Sequence, residues 1–133
     1  MKKYLYISVI LLLAIACTKH EKRETKYEDG QLQEQFFVKE TKDGSFIKDG
    51  EYKSWYEDGQ NQEAGKYSNG VKVGNWKSWH ENGQLKFDLN YTNDTLNGKY
   101  IEWHYNGQKA IEKSLKMGKN IDNTHLGMKM VSH

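Results

Sequence analysis

The sequence predicts an all-β fold, an antiparallel meander of repeated hairpins, on three observations. Blocks reading GEYKSWYEDGQ, GNWKSWHENGQ and GKYIEWHYNGQ start at Gly50, Gly74 and Gly98, a period of 24. Each carries an Asp-Gly or Asn-Gly pair between aromatic-rich segments, at Asp58-Gly59, Asn82-Gly83 and Asn106-Gly107, and such pairs supply the positive φ angles of a tight hairpin. Proline is absent from the chain, so no strand loses a ladder hydrogen bond to it. A unit of this length cannot bury a core alone, and stacking on its neighbours must stabilise it. A motif copied several times also argues against a single active site.

At the amino terminus, Lys2 and Lys3 precede an apolar run from Leu5 to Ala16 that stops at Cys17, the only cysteine. The run is short for a transmembrane helix and has the flanks of a secretory signal, so a signal helix is expected ahead of the sheet. Ala14, Ile15, Ala16 and Cys17 resemble the lipobox of bacterial lipoproteins, with alanine where leucine usually stands. That resemblance implies removal of residues 1–16, acylation of Cys17, and a lipid-anchored, extracytoplasmic address at the cell membrane or outer membrane. A secreted protein with Cys17 as a spare thiol and an uncleaved anchor are the alternatives. A lone cysteine forms no internal disulfide, so the fold must hold without one.

Cleavage would take away Lys2 and Lys3, bringing 20 basic residues to 18 against 18 acidic ones. Net charge is then about zero, which gives no charge argument for a nucleic-acid partner. The remaining 117 residues suffice for one domain. Thr18 to Lys26, charged and without apolar periodicity, reads with Cys17 as a flexible tether over residues 17–26. Its mixed signs argue against a polybasic lipid clamp.

A degenerate copy of the motif follows at Tyr27-Glu28-Asp29-Gly30-Gln31, offset by 29 from the next one, which puts five extra residues between Gly30 and Gly50, as a longer turn or bulge around Thr41 to Lys48. Strands are expected at about 52–57, 60–67, 75–81, 84–91, 99–105 and 108–115. Second turns fall at Ser68-Asn69-Gly70, Thr92-Asn93-Asp94 and Lys116-Met117-Gly118. The pattern fades after Gly118, leaving residues 120–133 as a cap or a frayed tail.

A two-residue loop at Asn82-Gly83 would put Trp76, Ser78, His80, Leu85, Phe87, Leu89 and Tyr91 on one face, the better core candidate. Lys77, Trp79, Glu81, Gln84, Lys86 and Asp88 would then share the other face, with Trp79 opposite Lys86. A three-residue turn with a bulge would shift that register. Trp55, Trp79 and Trp103 recur at the period, as do Tyr52, Trp76 and Tyr100, and Tyr56, His80 and His104. Such ladders hold neighbouring repeats together. Left partly exposed, the stripe of Trp55, Trp79 and Trp103 with Lys77 and Lys86 would be a partner-binding surface.

Of the histidines, only His80 and His104 are related by position, and zinc needs three or four protein ligands, so they read as ring-ladder members in place of Tyr56 and no metal or cofactor is expected. Glu57 and Glu81 read as solvated turn-flanking acids. The chain has no G-x-S-x-G elbow, phosphate-cradling loop or H-E-x-x-H helix, and no enzyme is expected.

Gly50, Tyr52, Trp55, Tyr56, Asp58, Gly59, Tyr67, Asn69 and Gly70, repeated as Gly74, Trp76, Trp79, His80, Asn82, Gly83 and Tyr91, resemble the bacterial variant of the MORN family over about residues 27–119. Asp94 replaces a turn glycine and Leu115 the trailing tyrosine, a drift towards the carboxyl end. The resemblance implies an elongated single-layer sheet and a non-catalytic interaction or scaffolding role. Relatives are in many cases labelled antitoxins. Two functions follow: a lipid-tethered module binding an unidentified protein or envelope partner, or an antitoxin or immunity-type protein that neutralises a toxic one. An ordinary antitoxin works in the cytoplasm, so the expected address favours the first.

Overall fold

A computed structural model describes residues 19–121. The expected signal segment 1–16, Cys17 and all but the start of the 120–133 tail lie outside the described residues. Nine strands form one open antiparallel sheet in sequence order: β1 (Glu21–Lys26), β2 (Leu32–Glu40), β3 (Phe46–Trp55), β4 (Asn61–Ser68), β5 (Val71–Trp79), β6 (Leu85–Thr92), β7 (Thr95–Trp103), β8 (Lys109–Lys116) and β9 (Lys119–Asn120). The meander of hairpins is as the repeat predicts.

Two kinds of turn alternate, and the turn of the motif itself is not the two-residue loop considered from the sequence. The Asp-Gly and Asn-Gly pairs of the motif close three-residue loops. At the Asn82-Gly83 loop, Gly83 N–H donates to His80 C=O at 2.9 Å and His80 N–H donates to Gln84 C=O at 2.8 Å. Only the glycine has positive φ (82°), the geometry of a type I turn closed by a bulge. The asparagine serves as acceptor, its Oδ1 taking Gln84 N–H at 3.1 Å, and Asp58 does the same for Gln60 at 2.9 Å. The two-residue turns lie at the other edge, at Asn69-Gly70, Asn93-Asp94 and Met117-Gly118, where both central residues have positive φ.

The loop shifts the register by one residue and a second irregularity shifts it back. Trp79 pairs with Leu85, whereas Ser78 pairs with Phe87, Lys77 with Asp88 and Trp76 with Leu89. The body of the hairpin therefore has the expected partners. At its tip Leu85, not Lys86, stands opposite Trp79, and Lys86 becomes the extra residue. Of the proposed core set, Leu85 moves to the opposite face.

Two further segments depart from expectation. Glu21–Lys26, expected within a tether, forms β1, paired with β2 from Glu21↔Val38 to Lys26↔Leu32. Main-chain pairing needs no apolar side chains, and alternating charges linked by Lys22–Glu24 and Arg23–Glu21 ion pairs suit a strand at the edge of a sheet. The five extra residues before Gly50 divide between a Thr41–Ser45 loop of the three-residue kind in place of a two-residue turn, and one added residue in each flanking strand, 9 and 10 long against 8 and 9 in the next unit.

Most of the core is a thin layer on one face, with Ile101 buried on the other. Trp76, 2% exposed, lies between Tyr67 and Tyr91, both edge-on with ring centroids at 5.0 and 6.4 Å, and beside Tyr52 at 5.6 Å. Its indole covers the backbone of Gly65, where a Cβ would fall 2.1 Å from Cδ2. With no second layer above among the described residues, lysine stems close the face: Lys72 Nζ sits 4.0 Å from the Trp76 ring centroid, and Lys48 and Lys113 sit 4.6 Å from Tyr52 and Tyr100 respectively. Such amphipathic side chains cover apolar surface while their charge remains in water.

Gly65→Ala is expected to cost about 2–3 kcal/mol or more, because the indole cannot retreat without leaving the two tyrosines that flank it. Gly30→Ala, at φ +88° in open space, should cost only the backbone strain of about 1–2 kcal/mol. Chemical denaturation of both variants checks the order; equal costs would show that the Trp76 contact does not hold the sheet.

Candidate functional site

The repeat places three tryptophans in one row. Trp55, Trp79 and Trp103 end β3, β5 and β7, paired with Asn61, Leu85 and Lys109. Strand alternation sets them on the face opposite Tyr52, Trp76 and Tyr100. All three are half-buried. Lys53 and Lys77 precede the first two by two residues, on the same face and exposed; the third unit has buried Ile101 at this position. Lys86, expected in this strip, is instead the extra residue of the bulge, and its Nζ lies 5.7 Å from the centroid of Phe87, whose ring packs with Tyr100 on the opposite face. A depression of about 260 Å³ adjoins Trp79, lined by Gly59, Gln60, Asn61 and Gly83.

Behind this row, the ring ladder does a job that spacing alone did not reveal. Tyr27 Oη donates to Trp55 C=O at 2.7 Å, Tyr56 Oη to Trp79 C=O at 2.7 Å, and a His80 ring nitrogen reaches Trp103 C=O at 2.9 Å. Each unit thus holds the main chain of the next at its tryptophan. His80 takes over the tyrosine's hydrogen bond and packs edge-on to Tyr105 at 5.3 Å. Among the described residues no group of three or more His, Cys, Asp or Glu could hold a metal ion.

A glutamine also spans adjacent loops. Gln60 Nε2 donates to Glu81 C=O at 2.8 Å, and a Cβ on Gly83 would meet its Oε1 at 2.6 Å. Gln84 stands in the same relation to Gly107, at 2.7 Å. The Gly-Gln pair of the motif therefore has two reasons for its glycine: positive φ and the neighbouring amide.

Asp88 is the buried charge of the tryptophan face, 7% exposed. Asn75 Nδ2 donates to its Oδ1 at 2.5 Å and Lys99 Nζ to its Oδ2 at 2.6 Å. Burial pushes the carboxyl pKa up, but the hydrogen bonds from Lys99 and Asn75 and the charges of Lys99 and Lys77 outweigh it and hold the carboxyl below its ordinary value. Sequence spacing gave no sign of this trio, since Asn75, Asp88 and Lys99 meet only through the pairing of β5, β6 and β7.

The MORN repeat variant matches residues 48–70 and 72–93, so this central stretch is similar to two repeats of that kind. No curated protein and no solved structure matches the chain.

Two measurements follow from this geometry. Tyr56→Phe should cost about 1 kcal/mol by removing the link to Trp79; an unchanged denaturation midpoint would show that the link contributes nothing. Asp88 has its folded pKa below the unfolded value, so its stabilisation is fully present above the ordinary carboxylate range near pH 4 and fades as pH falls through the lower folded value. Asp88→Asn should therefore cost about 1–3 kcal/mol at pH 7, a difference that shrinks in urea titrations at progressively lower pH. A cost independent of pH would remove the charged form from the account.

Proposed function

We propose that this chain is a lipid-anchored, extracytoplasmic binding or scaffolding module of the cell envelope, with the tryptophan face of its sheet as the working surface. Its MORN-variant repeats support a repeat-based binding module. One observation carries the finer reading: on a single sheet, the face bearing Tyr52 and Trp76 is committed to packing, while the other presents a row of half-buried indoles beside exposed lysines. A surface of this kind recognises by stacking and charge.

Anchoring rests on the signal-like run and Cys17. With β1 beginning at Glu21, only Thr18 to His20 would separate an acylated Cys17 from the sheet, a reach of about 14 Å at full extension. The β1 edge of the sheet would therefore lie close to the lipid surface.

Cys17→Ser should release the protein from the membrane fraction, and continued sedimentation with membranes would end the lipoprotein reading. Crosslinking the anchored chain in envelopes and identifying what it captures tests the module reading. Envelope protein or wall material supports it, and failure to crosslink any partner overturns it. Capture of a single toxic protein, with loss of its toxicity, would instead support the immunity-type role.

A further inference from the structure

Resting on the binding-module reading, we propose that the indole and lysine strip takes a linear anionic glycan: a β-1,4-linked polymer with one carboxylate per disaccharide, held at one disaccharide per repeat. Trp55, Trp79 and Trp103 stand on β3, β5 and β7, one intervening strand apart. Their spacing is therefore about 9.5 Å. Successive β-1,4-linked sugars are turned over relative to each other, so a given ring face recurs on every second sugar. That repeat matches the spacing of the indoles. The apolar face of a pyranose stacks on an aromatic ring, and the depression beside Trp79 is lined by exposed Asn61, a polar residue of the kind that sugar hydroxyls need as partner.

Charge selects the acidic polymer over a neutral one. Lys53 and Lys77 each lie two residues before a tryptophan of the row, on the same face. Neither forms an ion pair with a described residue. The buried acid nearby, Asp88, is already held by Lys99 and Asn75. Cationic groups thus recur at the period in the first two units, and the third, with Ile101 in this position, contributes stacking alone.

The test uses the full chain in detergent, titrated with peptide-free glycan strands of alternating N-acetylglucosamine and N-acetylmuramic acid, and with neutral chitohexaose. Tryptophan fluorescence and affinity electrophoresis report binding. The acidic strands should bind, chitohexaose should bind about tenfold more weakly, and about 0.5 M salt should remove most of the difference. Lys53→Gln and Lys53→Glu, at an exposed position paired with Ala64 and Gln35, should both weaken binding, the charge reversal by about tenfold, without moving Tm, which separates contact loss from unfolding. Absence of binding, equal binding of the neutral oligosaccharide, or indifference to the lysine substitutions would overturn the proposal. Failure here alongside a protein captured by envelope crosslinking would leave the module reading intact, whereas failure of both would remove both.

Discussion

The contact on which the sheet depends is an indole lying on bare backbone. A single-layer sheet has no opposing layer, so apolar surface can be hidden only along the sheet itself, against the neighbouring strand. Trp76 does this by covering Gly65, where any side chain would collide with it, and by taking Tyr67 and Tyr91 edge-on against its ring. Each such aromatic pair contributes about 0.5–1.5 kcal/mol beyond the area it buries. Glycine in the interior of a strand is ordinarily a weakness. Here the missing side chain is the space that the largest residue needs.

Nearest-neighbour links then carry the fold in one dimension. At one edge the two-residue turns dock on the preceding unit: Gly70 N–H donates to Lys48 C=O at 2.8 Å, Asp94 N–H to Lys72 C=O at 3.0 Å, and Gly118 N–H to Leu96 C=O at 2.7 Å. At the other edge Tyr27, Tyr56 and His80 hold the following unit by its tryptophan carbonyl. Stability is therefore close to a sum of repeats and interfaces. That arrangement tolerates drift. Asp94 keeps positive φ (62°) in place of glycine and its carboxylate accepts Lys72 N–H at 2.6 Å, so the unit that departs from the pattern supplies its own compensation.

The parts of this structure that sequence foretold are those set by periodicity. A period of 24 and strand alternation place Trp76 in the core and Trp55, Trp79 and Trp103 on the far face without any knowledge of distance. Turn type was not accessible, because an Asn-Gly pair serves both the two-residue turn and the three-residue loop. What separates them is whether the asparagine takes positive φ, as Asn69 does, or accepts a hydrogen bond from the second residue beyond it, as Asn82 does. The Leu85 and Lys86 exchange follows from that choice. β1 was hidden for a different reason: Glu21 to Lys26 has the composition of a solvated tether, and only non-local pairing with β2 makes it a strand. The Asp88 trio and the links to tryptophan carbonyls likewise depend on partners remote in sequence.

One residue series explains how packing and the proposed recognition can coexist in so few layers. At Trp55, Trp79 and Trp103 the main chain and the side chain have separate duties. The carbonyl accepts the bond that ties one unit to the next, and it does so whatever side chain is attached. The indole is therefore not needed for that bond, and its half-exposure on the polar face is not required by the ladder. In contrast, the Tyr52, Trp76 and Tyr100 series contributes its rings to the packed face beneath lysine stems. A repeat that holds itself together through backbone at one aromatic position and through side chain at another leaves the first free to meet a ligand, and the fold copies that freedom once per unit.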